Sequence, residues 1–138
     1  MLEYTIKIIL NLMRNLNEQR FFDLVAALRE YEGIEEIFLL NSDGELLFKS
    51  ENFPLSEEEA KEILDAWKEN KPALTFQNSR FAILKNDDIQ LAAKNIAQGK
   101  GNIVGSITKE GDYLVAHTRN EGMILLEWSI FINKVAWS

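Results

Sequence analysis

The 138-residue chain has no cysteine and a single histidine, His117. Without cysteine there is no disulfide framework, no thiol nucleophile and no cysteine-based zinc or iron–sulfur centre. One imidazole cannot build a His-rich metal site either. Positive charge is also short, with 15 Lys+Arg against 22 Asp+Glu for a net −7. A nucleic-acid binder is not expected, because phosphate neutralisation needs a dominant basic surface. No run approaches the roughly 18 uninterrupted apolar residues of a membrane span. The N-terminus MLEYTIKIILNLMRNLNEQR is interrupted by Lys7 and Arg14 and lacks a small-residue cleavage site, so it is a poor signal peptide. The expected setting is the cytoplasm.

What is present is an ordinary globular composition, 46% hydrophobic and 27% charged. The length fits one domain, 1–138, with residues 1–16 either an N-terminal helical extension or the first helix. The scarce positive charge gathers in one place. Between Arg80 and Glu110 five cations (Arg80, Lys85, Lys94, Lys100, Lys109) meet three acids (Asp87, Asp88, Glu110), a local +2 in a chain of −7. Such a face suits an acidic partner.

Ile6, Ile9, Leu10 and Met13 have helical spacing, predicting a first helix over about 3–14. Phe21, Leu24, Val25 and Leu28 begin a second stripe, with a joint expected near Asn15–Asn17 and an end at Gly33. IEEIFLL and ELLFKS around Asp43-Gly44 predict a hairpin. Consecutive Ile37, Phe38, Leu39 and Leu40 predict that its first strand is covered on both faces. Ser56 and Glu59 form a capping-box pattern, and Ala60, Ile63, Leu64 and Trp67 give the buried stripe of the next helix, which Pro72 stops. From Ala73 the period changes to two, predicting strands ALTFQ, RFAILK, IQLAAKN, NIVGSITK and YLVAHT. Their turns fall at Asn78-Ser79, Asn86–Asp88, Ala97–Gly101 and Glu110-Gly111. Asn120 is placed as the cap of a last helix running to Trp137. That helix is apolar around most of its circumference and therefore needs two neighbours, the sheet and the first helix.

This order resembles the profilins. Asp43-Gly44, then Ser50-Glu51-Asn52-Phe53-Pro54, then Glu57-Glu58-Glu59 are similar to the family's hairpin, Ser-x-x-Phe-Pro segment and acidic helix start. Asn78 to Lys85 resembles its G-G-x-K-Y-x-V-I-R strand, and Gly99-Lys100-Gly101-Asn102-Ile103 its glycine loop. AWKEN followed by LAAKNIAQGKGNIVG is similar to the divergent profilins of Asgard archaea. The likeness spans about Tyr4 to Lys134. It departs where Asn78-Ser79 replaces paired glycines and where Arg119-Asn120-Glu121-Gly122 replaces a Pro-Gly segment.

The resemblance implies an α+β fold, a central antiparallel sheet of about seven strands. The N- and C-terminal helices lie on one face and a further helix on the other. It implies a cytoskeleton-associated, non-enzymatic monomer that needs no cofactor and binds actin monomers. Implied actin contacts are Arg80, Lys85, Lys94, Asn95, Lys100, Arg119, Asn120 and Glu121, with a plain solvated polar face as the alternative. Tyr4, Trp128, Phe131 and Trp137 fall where the family stacks aromatics on proline-rich peptides, with core packing as their alternative. Anionic phospholipid is a further partner for the basic patch. A Roadblock-type homodimeric scaffold for small GTPases shares much of the plan, but is expected to have five strands. GKGNIVG lacks the Gly-Lys-Ser/Thr ending of a phosphate loop and leads into a strand, so it is read as a turn. His117 is given a structural role.

Overall fold

The computed structural model describes residues 2–51 and 53–138, and of residues 10–16 the backbone only. Asn52 of the Ser-x-x-Phe-Pro segment and the side chains of Leu10, Met13 and Asn15 lie outside the described set. The elements in order are α1 (Leu2–Leu28), β1 (Ile34–Leu40), β2 (Leu46–Lys49), α2 (Glu57–Lys68), β3 (Ala73–Phe76), β4 (Ser79–Asn86), β5 (Gln90–Lys94), β6 (Asn102–Ile107), β7 (Tyr113–Thr118) and α3 (Leu125–Ala136). All seven strands join one sheet in the order β2-β1-β7-β6-β5-β4-β3, and every neighbouring pair is antiparallel.

Where two N-terminal helices were expected there is one of 27 residues. Asparagine is only mildly unfavourable within a helix, and neither glycine nor proline occurs between Leu2 and Leu28 to break it. The two apolar stripes are also in phase, since Leu10 and Phe21, or Met13 and Leu24, lie eleven residues and three turns apart.

Two cores sandwich the sheet. Phe38 and Leu40 of β1 point to the α2 side, where Ile63, Leu64 and Trp67 meet Phe76, Phe81, Leu91, Ile103 and Val115. Ile37 and Leu39, alternating with them, point to the other side, into Phe21, Leu24 and Leu28 of α1 and Trp128, Ile132 and Val135 of α3. The unbroken apolar run in β1 is thus explained by burial on both faces.

Local chemistry sets the element ends. Asn41 Oδ1 accepts from the backbone N–H of both Asp43 and Glu45 at 3.0 Å, closing the first hairpin. Ser56 Oγ caps α2 by accepting from Glu59 N (3.0 Å), while the Glu59 carboxylate is used elsewhere, accepting from Gln77 N (3.4 Å). The β3–β4 turn lies one residue earlier than expected. Phe76 pairs with Ser79, and Gln77 and Asn78 both adopt positive φ (48° and 64°), the two-residue turn whose twist matches a hairpin. Asn120 does not cap the last helix, which starts five residues later. Ile124 occupies the cap position, and its N–H donates to Glu127 Oε1 (3.1 Å).

Arg20 clasps the ends of the fold. Its Nε donates to Glu110 Oε2 (3.0 Å) and its Nη2 to the Ala136 carbonyl (3.1 Å), tying α1 to the β6–β7 turn and to α3. Burial pushes the Glu110 carboxyl up, but the Arg20 hydrogen bond and charge, its own backbone N–H and the Thr108 hydroxyl outweigh this and hold it below its ordinary value. A folded-state value below the unfolded one stabilises above the ordinary glutamate range, and that contribution is lost as pH falls through the folded value. Asp112 runs the other way, raised by burial and then by the Glu110 charge. Glu110→Gln should cost under about 1 kcal/mol at neutral pH, as expected for a half-exposed pair. It should also flatten the loss of stability between about pH 5 and 3 in urea melts; an unchanged acid limb would show that the clasp does not titrate in this way.

Candidate protein-binding face

Successive residues of a regular strand point to opposite sides, so Arg80 and Lys85, five apart, would face away from each other. A β-bulge changes this. Ala82 pairs with Lys94 and Ile83 with Ala93, but the next pairs are Lys85 with Ala92 and Asn86 with Leu91, leaving Leu84 as the extra residue. Lys85 is thereby returned to the side of Arg80 and Ala82. Lys94, directly across from Ala82, shares that side, as does Asn102 across from Lys94. It is the side on which α3 packs, since Ala92 lies opposite Val104 of the α1/α3 core. Arg80, Lys85 and Lys94 therefore project together from the outer strands, beside α3.

The face is braced from beneath. Lys85 Nζ donates to Gln90 Oε1 (3.0 Å), and Gln90 Nε2 donates to the Ser129 carbonyl (2.8 Å), linking β4 through β5 to α3. Asp87 closes the β4–β5 turn by accepting from Gln90 N (2.7 Å) and Ile89 N (2.9 Å). The Gln90 bond is the main cause holding its carboxyl below the ordinary range; burial acts against it, and the Ile89 bond and Lys85 charge assist. Among the described residues Arg80, Lys94 and Lys100 make no ion pair.

Three apolar side chains accompany the cations. Leu84 on the bulge, Ile96 in the loop after β5 and Leu126 on α3 are 62%, 71% and 62% exposed. Leu126 precedes Ser129 by three residues and so shares the helix flank turned towards β5. The sequence reading missed these residues, and the one trace of them was parity, Leu84 standing where an alternating strand calls for a partner of Ala82. A cavity of about 310 Å³ opens beside Ile96, lined also by Asn78, Arg80, Ala82 and Gln98 among others.

The loop from Asn95 to Gly101 forms the rim. Asn95 is 3% exposed. Its Nδ2 donates to the Arg80 carbonyl (2.9 Å), and its Oδ1 accepts from Gln98 N (2.9 Å) and Lys100 N (3.1 Å), so it shapes the loop from inside. Gly101 has φ +89°, and a Cβ there would lie 1.8 Å from the Thr118 carbonyl oxygen. The loop continues into β6, and no helix begins there. Asn120 flanks it, with Nδ2 4.0 Å from where a Cβ on Gly99 would sit. Arg119 is drawn aside: its Nε meets Glu35 Oε1 at 3.1 Å and its N–H donates to the Gly33 carbonyl (2.7 Å). Glu121 is exposed in the same segment.

The four aromatics do not assemble into one surface. Trp128 is wholly buried and cannot stack on a peptide, which corrects that expectation, because its ring fills the space between the sheet, α1 and α3. Phe131 is partly covered and meets Tyr31 edge to face at 4.8 Å, while Tyr4 and Trp137 are exposed. His117 lies against Phe76 and Phe81 on the α2 side, with Nδ1 2.7 Å from Glu36 Oε2. Among the described residues no group of three or more His, Asp or Glu is arranged to hold a metal, and no helix is long and apolar enough to cross a membrane.

Seven strands set aside the five-stranded Roadblock plan. No protein-family model matches the chain. Solved structures share its fold: LokiProfilin1 in complex with rabbit actin (TM-score 0.71, 19% identity, covering 86% of this chain and 92% of that one) and LokiProfilin2 in complex with rabbit actin (0.69, 21%, 86% and 91%). Profilin II of Acanthamoeba castellanii is similar at TM-score 0.66 and 14% identity, covering 82% of this chain and 90% of that one. In sequence the chain is 72% identical to Loki profilin-3 of Lokiarchaeum sp. (strain GC14_75) over 123 residues, 89% of this chain and all of the relative. With that identity over nearly its whole length, on a seven-stranded sheet of the same topology, the chain belongs to the profilin family.

Proposed function

We propose that the chain binds monomeric actin through the face built by β4, β5, the 95–101 loop and the start of α3, and so restrains polymerisation. Membership of the profilin family supports this, as do the complexes of two Loki profilins with rabbit actin. The observation that carries the reading is the bulge at Leu84, which brings Arg80, Lys85 and Lys94 onto one side beside exposed Leu84, Ile96 and Leu126. An apolar patch rimmed by charge is the usual make-up of a protein interface. The mechanism is occupancy in the cytoplasm, without catalysis: a bound monomer is hindered from joining a filament end, and nucleation falls.

The test is a binding titration with actin, paired with fluorescence-monitored assembly and repeated with Lys85→Glu and Lys94→Glu. Each reversal places like charge against an acidic partner, and should weaken binding about tenfold or more with the fold intact. Failure to bind any actin, a cognate archaeal one included, sinks the reading.

A further inference from the structure

We infer that His117 is the positioning residue of this face: it fixes the loop bearing Lys100 by donating a hydrogen bond from Nε2, while Nδ1 is held against Glu36. The inference rests on the actin reading above for its consequence, but not for its geometry. Nδ1 lies 2.7 Å from Glu36 Oε2 and Nε2 lies 2.6 Å from the Lys100 carbonyl oxygen. A backbone carbonyl only accepts, so Nε2 carries the hydrogen of the bond to Lys100. The ring packs against both Phe76 and Phe81, at centroid distances of 5.3 and 5.9 Å, and Glu36 is steadied by Gln77 Nε2 on its other oxygen (3.4 Å).

Lys100 is consequently held by both of its backbone polar atoms. Its N–H donates to Asn95 Oδ1 at the end of β5, and its carbonyl accepts from His117 on β7. Gly101 follows immediately, packed against the Thr118 carbonyl with no room for a side chain. The loop is thus tied from the α2 side of the sheet although its working surface lies at the rim of the α3 side. Setting a contact residue before the partner arrives lowers the ordering cost of binding. His117 never needs to touch the partner.

His117→Phe keeps a ring against Phe76 and Phe81 and removes both ring nitrogens. The variant should unfold cooperatively, while amide exchange across 96–101 quickens about tenfold or more and actin affinity falls about three- to tenfold, the loss expected for about one net hydrogen bond. In a Lys100→Ala background the same substitution should weaken binding no further, because the two changes act through one element. Nitrogen NMR of the wild-type imidazole should show a hydrogen on Nε2. Unchanged loop exchange, additive losses or an Nε2 without a hydrogen would each overturn the assignment. If the wild type binds no actin while loop exchange responds to His117→Phe, the actin reading fails and the positioning role stands. Should His117→Phe not fold, Glu36→Ala leaves the ring in place and carries the same readouts.

Discussion

Gly101→Ala is expected to cost the folded state about 3 kcal/mol and to dislodge the loop that carries Lys100. A residue with a side chain loses roughly 1–2 kcal/mol merely by holding left-handed backbone. Here the added Cβ would also lie 1.8 Å from the Thr118 carbonyl oxygen, 2.9 Å from its carbon and 3.1 Å from the Arg119 carbonyl carbon. These are backbone atoms of β7 and its exit, which cannot turn aside as a flexible side chain would. Thr118 is itself fixed, its hydroxyl accepting from Asn102 Nδ2 (3.0 Å) in a buried bond. Gly99→Ala is the control: its φ is +64° and the nearest foreign atom lies 4.0 Å away, so only the backbone cost, about 1 kcal/mol, applies. Urea unfolding of the two variants, with actin titration of each, checks the pair. Equal and mild losses would mean that loop and strand are not in contact.

Trp128→Ala carries the other large effect, a loss of about 3–5 kcal/mol, the usual cost of deleting a fully buried aromatic. Against a total folding free energy of roughly 5–15 kcal/mol, that brings the chain close to unfolding at room temperature. The ring is fully enclosed in the core between the sheet, α1 and α3. Trp128→Phe should be far milder, under about 1.5 kcal/mol, as core substitutions that keep most of the volume usually are. The buried indole Nε1 has no hydrogen-bond partner among the described residues, so the phenyl ring sheds an unpaired donor along with the volume. Denaturant midpoints at constant slope decide the matter. A mild alanine variant would return Trp128 to the surface and reopen its reading as a stacking platform.

The sheet was legible in the sequence because each strand either alternates or, in β1, is apolar on both sides, and because Asp43-Gly44 and Ser56 punctuate the chain with chemistry that acts within four residues. The joint near Asn15–Asn17 and the cap at Asn120 were misread for the same kind of reason. A side chain able to cap does so only where the helix actually ends, and that is settled by what the helix packs against. Trp128 shows the limit for aromatics, since helical spacing alone does not say which side of an all-round apolar helix meets the sheet and which keeps Leu126 and Ile130 in solvent.

The concentration of cations between Arg80 and Glu110 was present from the start, and the chain by itself determined that this stretch would be antiparallel strands with a rim loop of glycines. What it did not determine was which cations act together. By alternation Arg80 and Lys85 belong on opposite faces. The bulge at Leu84 reverses Lys85, and its effect is set by pairing with Ala92 on β5, a strand that follows in sequence but whose register depends on β6 and α3 behind it. Likewise the partners of His117, Glu36 at 81 residues' separation and the Lys100 carbonyl at 17, are brought together only by the strand order β1-β7-β6. Local patterning is read from neighbours along the chain; a face is made by residues that become neighbours only when the sheet closes.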